Sequence, residues 1–133
     1  MITAENFRET LGNFMMTQFE LFCLTFYALD SVWEFSHNEE LGQYLSDANP
    51  FLWNATTSAV TELYTEFCAV VPQENISVEE SYHVADKYIN ALAGYYAQGV
   101  RDAFSTITPE KWAKSARRYM STPHKGGEQE RTL

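Results

Sequence analysis

The chain has 133 residues, 45% of them hydrophobic and 15% aromatic, with a formal net charge of −9. That length suits one domain able to bury roughly two thirds of its unfolded surface, so neither a disulfide nor a metal is needed for folding. The acidity argues against direct nucleic acid binding, because the summed field repels phosphates, and it favours encounter with basic protein surfaces.

Residues 1–110 hold 16 acidic and 3 basic side chains, and residues 111–133 hold 2 acidic and 6 basic, a body of −13 followed by a tail of +4. Cys23 and Cys68 lie in apolar stretches, and no charged segment leads into an apolar run and cleavage site at the N-terminus. Both features predict a reducing, cytoplasmic setting. In such a setting the acceptor patterns Asn54-Ala55-Thr56 and Asn75-Ile76-Ser77 carry no weight. The most apolar region is interrupted by Thr17, Gln18, Glu20 and Thr25, short of the roughly 18 uninterrupted apolar residues of a membrane span, so none is expected.

In chain order, Thr3 reads as an N-cap, and Phe7, Leu11, Phe14, Leu21, Phe22, Leu29 and Val32 recur at three- and four-residue steps. This spacing predicts a first helix from Ala4 to about Ser36, bent or broken where Gly12 and Asp30 fall. Between Phe14 and Phe35 apolar and aromatic residues cover nearly its whole circumference. Such a helix needs neighbours on several sides, from its own bundle or from a second chain. A short second helix, Glu39 to Leu45, precedes the turn-rich Ser46-Asp47-Ala48-Asn49-Pro50. Pro50 suits the first turn of a third helix running to Val71, with Leu52, Ala59, Leu63, Phe67 and Val70 on one face and Pro72 as its stop.

Ser77-Val78-Glu79-Glu80 matches a capping box. The series Val78, Tyr82, Ala85, Ile89, Leu92, Tyr96, Val100, Ala103 and Ile107 then predicts one long fourth helix. Thr108-Pro109-Glu110 opens a last helix to Met120, and Ser121 to Leu133 is polar with Gly126-Gly127, the composition of a mobile tail. The expected fold is all-α: a single-domain antiparallel bundle of four to five helices over residues 1–120, followed by a flexible tail over 121–133.

Two Glu-x-x-His pairs, Glu34 with His37 and Glu80 with His83, have the spacing by which helical carboxylate proteins bind metal. At about 100° per residue, however, Glu80 falls opposite the apolar seam of its helix and Glu34 opposite the Phe7, Phe14, Val32 stripe. Carboxylates turned toward solvent do not close around a buried ion, so no metal or other cofactor is expected. Neither cysteine has a histidine nearby in sequence, and there is no Gly-rich phosphate loop or nucleophile elbow. Lys111, Lys114, Arg117 and Arg118 share a helix with Trp112 and Tyr119. The reading here is that Trp112, Ala116 and Tyr119 pack inward while the cations face water. Gln18, polar within an apolar stripe, should find a bond across the bundle.

Met16, Phe19, Phe26 and Tyr27 fall on the side of the first helix away from its main stripe, among Glu5, Glu9, Glu20, Asp30 and Glu34. Aromatics set among acids can anchor in the pockets of a basic partner. Met16, Phe19, Glu20, Phe26, Tyr27, Asp30 and Glu34 are therefore the candidate partner-binding residues. The expected function is a small acidic protein-binding module without catalysis, most simply an inhibitor of a basic nucleic-acid-processing protein, as toxin-immunity and anti-defence proteins are. The alternatives are a metal-carboxylate or small-molecule-binding bundle and a homodimeric scaffold.

Overall fold

The computed structural model describes residues 15–71 and 75–126. Within them the chain is helical apart from one minimal antiparallel strand pair, β1 (Met15–Met16) with β2 (Ile76–Ser77), in which Met15 faces Ser77 and Met16 faces Ile76. The first helix, α1, spans Gln18–Ser36, and Met15 and Met16 before it are strand rather than helix. The Thr17 hydroxyl accepts from the Glu20 amide at 3.0 Å and the Glu20 carboxylate accepts from the Thr17 amide at 2.8 Å. This reciprocal cap fixes Thr17 in an extended conformation and starts the helix there. The expected start at Thr3 and Ala4 lies outside the described residues.

At its far end α1 stops in His37, whose left-handed backbone (φ 49°) lets its amide reach the Trp33 carbonyl at 2.9 Å. Asn38 caps the second helix, α2 (Glu39–Ala48), through the Leu41 amide. The third helix, α3, is Thr61–Val70, eleven residues later in its start than Pro50 suggested. Asn49 accounts for the difference. Its side chain accepts from the Phe51 amide and its carbonyl from the Ala59 amide, closing residues 50–58 into a loop instead of a helical turn.

Helix α4 (Val78–Ala91) starts at the Ser77 cap as the sequence predicts, but it does not reach Ile107. The chain turns at Leu92–Tyr96 through Gly94, whose φ of 100° is open to glycine, and resumes as α5 (Ala97–Phe104). Arg101 Nη1 donates to the Leu92 carbonyl at 3.0 Å and braces this corner. Helix α6 (Pro109–Met120) follows the Thr108 cap as expected. The described residues thus contain six helices, more than the four to five expected, because the long fourth helix is two.

Helix α1 packs against each of the other five helices. Its Phe19, Leu21, Phe22, Cys23, Leu24 and Leu29 are all buried, which explains why apolar residues ring it rather than forming one stripe. Gln18 donates to the Val71 carbonyl, the bond across the bundle that its position called for. Where α5 crosses the start of α2, the Gly99 amide donates to a Glu40 carboxylate oxygen at 2.9 Å, and a β-carbon at Gly99 would meet Asn38 Oδ1 and Glu40 Cβ at 2.7 Å. Asn38 cannot retreat without uncapping α2. We therefore expect Gly99→Ala to cost about 1–3 kcal/mol, the usual range for overpacking, measured by urea unfolding; an unchanged midpoint would contradict the tight crossing.

The Tyr44 and Tyr88 hydroxyls pair at 2.7 Å inside the core. Burial pushes both phenols above the ordinary value of 10.0. A phenol held protonated in the folded state stabilises it fully below the unfolded pKa, and that contribution disappears as pH rises through the folded one. The urea midpoint should therefore begin to fall above about pH 10, the ordinary tyrosine range. A midpoint level to pH 11.5 would contradict this burial.

Candidate functional site

The segment after α2 carries three consecutive large apolar residues, Phe51, Leu52 and Trp53, all exposed on the 50–58 loop. Leu52 is 61% exposed and Trp53 55%. The first half of the loop is held in place: the Asn49 side chain accepts from the Phe51 amide at 2.8 Å, and the Lys125 ammonium donates to the Pro50 and Trp53 carbonyls. The Phe51 ring lies 5.3 Å from Tyr27 and 5.8 Å from Phe26, and Lys125 sits 5.6 Å over Phe19 and 5.9 Å over Phe51. Cation–π contacts of this kind add to the hydrogen bonds that pin the loop.

The seven residues expected to form the partner-binding face are divided by the fold. Tyr27 is 46% exposed, Glu34 is exposed, and Phe26 and Asp30 are half-buried. Met16, Phe19 and Glu20 are buried and do not belong to the surface. Met16 lies in β1, and Phe19 packs edge-on against Tyr64 of α3 at 5.4 Å. Of the flanking acids, Glu5 and Glu9 lie outside the described residues.

Glu20 is turned inward because two groups claim its carboxylate. One oxygen caps Thr17; the other lies 2.7 Å from Nε2 of His124. The other ring nitrogen, Nδ1, is 2.6 Å from the Thr122 carbonyl, which can only accept, so Nδ1 carries a proton. The imidazole also stacks on Tyr119, with ring centroids 4.0 Å apart. Residues 121–126, expected as the start of a mobile tail, are instead docked on α1 and α6; residues 127–133 lie outside the described residues.

Cys23, His124 and Glu20 are the residue types of a thiol catalytic triad, but their arrangement does not activate a nucleophile. Both imidazole nitrogens are engaged elsewhere. Burial pushes the Cys23 thiol up to about 12, outweighing the opposing hydrogen bond from Tyr119. A protonated, enclosed thiol is inert packing. We expect an aromatic disulfide reagent at pH 8 to leave Cys23 unmodified in the folded protein and to modify it after denaturation, with half-buried Cys68 the only candidate for native reaction. Rapid native modification of Cys23 would contradict this placement.

Two of the four Glu-x-x-His residues, Glu80 and His37, serve helix ends. Glu80 accepts from the Ser77 amide at 3.2 Å, His37 forms the left-handed cap against Trp33, and Glu34 and His83 are exposed. Among the described residues no three His, Cys, Asp or Glu side chains are grouped to hold a metal ion, and none of the helices is long and apolar enough to cross a membrane. On α6, Trp112, Ala116 and Tyr119 are buried while Lys111, Lys114, Arg117 and Arg118 are exposed, the division its spacing predicts.

Two concavities flank α6. One, of about 670 Å³, is walled by Tyr27, Phe51, Tyr119, Arg118, His124 and Lys125. The other, of about 500 Å³, is an apolar groove between Val32 and Phe35 of α1 and Ile107 and Trp112. Compared with protein families, curated proteins and solved structures, the chain matches none.

Proposed function

We propose that this protein is a small non-catalytic binding module that occupies a basic surface of another protein, in the manner of a toxin-immunity or anti-defence inhibitor of a nucleic-acid-processing enzyme. The observation that carries this reading is the loop Phe51-Leu52-Trp53, continued by Tyr27 on α1 and fastened by Asn49 and Lys125. Large apolar side chains held in water at a fixed place are what an interface core requires. Prior fastening also reduces the ordering cost on binding. Asp30 and Glu34 follow Tyr27 along the same helix, and the net charge of −9 favours encounter with a cationic partner. The inert setting of Cys23 fits a protein that blocks rather than reacts.

The test is affinity capture from host lysate at low and high salt. Retention of one basic protein that elutes as salt rises supports the reading, and an empty column at low salt counts against it. A self-associating scaffold is the second reading, favoured by Phe35, 88% exposed beside the apolar groove. Two copies related by a two-fold axis could each place Phe35 in the other's groove. A chromatographic mass of twice 15.3 kDa would support that pairing.

A further inference from the structure

The cavity between α1 and α6 has a local charge opposite to that of the molecule. Arg118 and Lys125 line it, together with His124, and among the described residues no carboxylate does. His124 is matched by Glu20 behind it, 2.7 Å from Nε2. Arg118 and Lys125 are therefore the cations left to act on the cavity, in a chain with a formal charge of −9. Lys125 is immobilised by the Pro50 and Trp53 carbonyls, which leaves Arg118 as the side chain able to reorient toward a bound group.

The walls are aromatic. Tyr27 and Phe51 are tilted by 36° at 5.3 Å, and Tyr119 meets Tyr27 edge-on at 5.9 Å. Ser115, one turn before Arg118 on the same face of α6, brings a hydroxyl to the lining. At about 670 Å³ the space lies within the roughly 300–1,000 Å³ typical of small-molecule sites.

We propose that this cavity binds a small planar anion, an aromatic ring bearing a phosphate or carboxylate, with the ring against Tyr27 and Phe51 and the anionic head on Arg118 and Ser115. A guanidinium presents two parallel N–H groups to either head, and the rings supply stacking area that a purely aliphatic anion would not use. The site shares Tyr27 and Phe51 with the surface proposed for a basic protein partner but is defined by Arg118 and Ser115 of α6, and its test does not depend on that reading.

The test is calorimetric titration of the full chain at neutral pH with 2-naphthyl phosphate and with 2-naphthoate, which share a ring and differ in the head, and with 2-naphthol as the uncharged control. At least one anion should saturate the protein while 2-naphthol binds at least tenfold more weakly. Arg118→Ala should weaken that anion about tenfold or more, in keeping with the loss of a charge-assisted bond, and Lys114→Ala, exposed on the same helix outside the cavity, should leave it unchanged. Arg118 is exposed, so its loss should not disturb folding. Failure of both anions to saturate at millimolar concentration, or equal affinity in the Arg118→Ala and unaltered proteins, would overturn the proposal.

Discussion

Replacing Glu20 with alanine is expected to destabilise the protein by about 3–5 kcal/mol, the range found when one partner of a buried charged pair is removed. Glu20 is 1% exposed, and its carboxylate serves two structures at once. It closes the cap that starts α1, and it is the partner of His124, which ties residues 121–126 to the bundle. Glu20→Gln separates these roles, because the amide oxygen can still accept from Thr17 while the charge opposite the imidazole is lost. We expect the glutamine variant to retain the α1 cap and to lose protection from hydrogen exchange at Thr122, whose amide donates to the Tyr119 carbonyl. If Glu20→Ala unfolds at the same urea concentration as the unaltered protein, the buried pair is not structural.

Trp112→Ala should cost a similar amount, about 3–5 kcal/mol, as large-to-small changes at fully buried aromatics do. Trp112 is 1% exposed, meets the rings of Tyr82 and Phe104 at 5.9 Å, and donates from Nε1 to the Ser81 hydroxyl at 2.8 Å. It therefore joins α6 to α4 and α5 through both volume and a directional bond. Trp112→Phe keeps most of the volume and removes the donor, so it should lose less than the alanine variant. Against a total stability of about 5–15 kcal/mol, the alanine variant should show a large fall in its unfolding midpoint. Equal losses in the two variants would assign the stabilisation to the hydrogen bond instead of packing.

The sequence was most legible where a local signal and a packing pattern agreed. Ser77 with Glu80, and Thr108 with Pro109, mark the starts of α4 and α6 in a few residues. Thr17 with Glu20 is a capping box too, but it lies inside an apolar run whose helical spacing continues through it, and the period masked the cap. The break at Gly94 was hidden in the same way, since the apolar series crosses the turn without losing its step. Proline at position 50 suggested a helix start; Asn49 turned the chain into a loop by bonding to it from side chain and backbone.

The candidate surface was half legible for a related reason. Helical spacing identifies which residues share a face but does not identify the elements that cover that face. Helical spacing places Phe19 and Glu20 outward, but α3 and the segment at His124 cover them. Tyr27 remained outside, and its aromatic neighbour Phe51 came from a segment read as helix. Three adjacent large apolar residues after Asn49-Pro50 were the available signal, because a helix packed on one side, unlike the enclosed α1, cannot bury three consecutive side chains. His124 carried no such signal, and its role depends on Glu20, 104 positions away.

We propose that the Phe51-Leu52-Trp53 loop docks a basic protein. The most direct measurement is low-salt affinity capture with the unaltered chain beside a Leu52→Ser, Trp53→Ser variant, both exposed positions whose replacement should leave the fold intact as judged by circular dichroism and urea unfolding. The unaltered chain should retain a basic protein released by salt, and the folded variant should lose it. Retention of the same protein by both chains would contradict the claim.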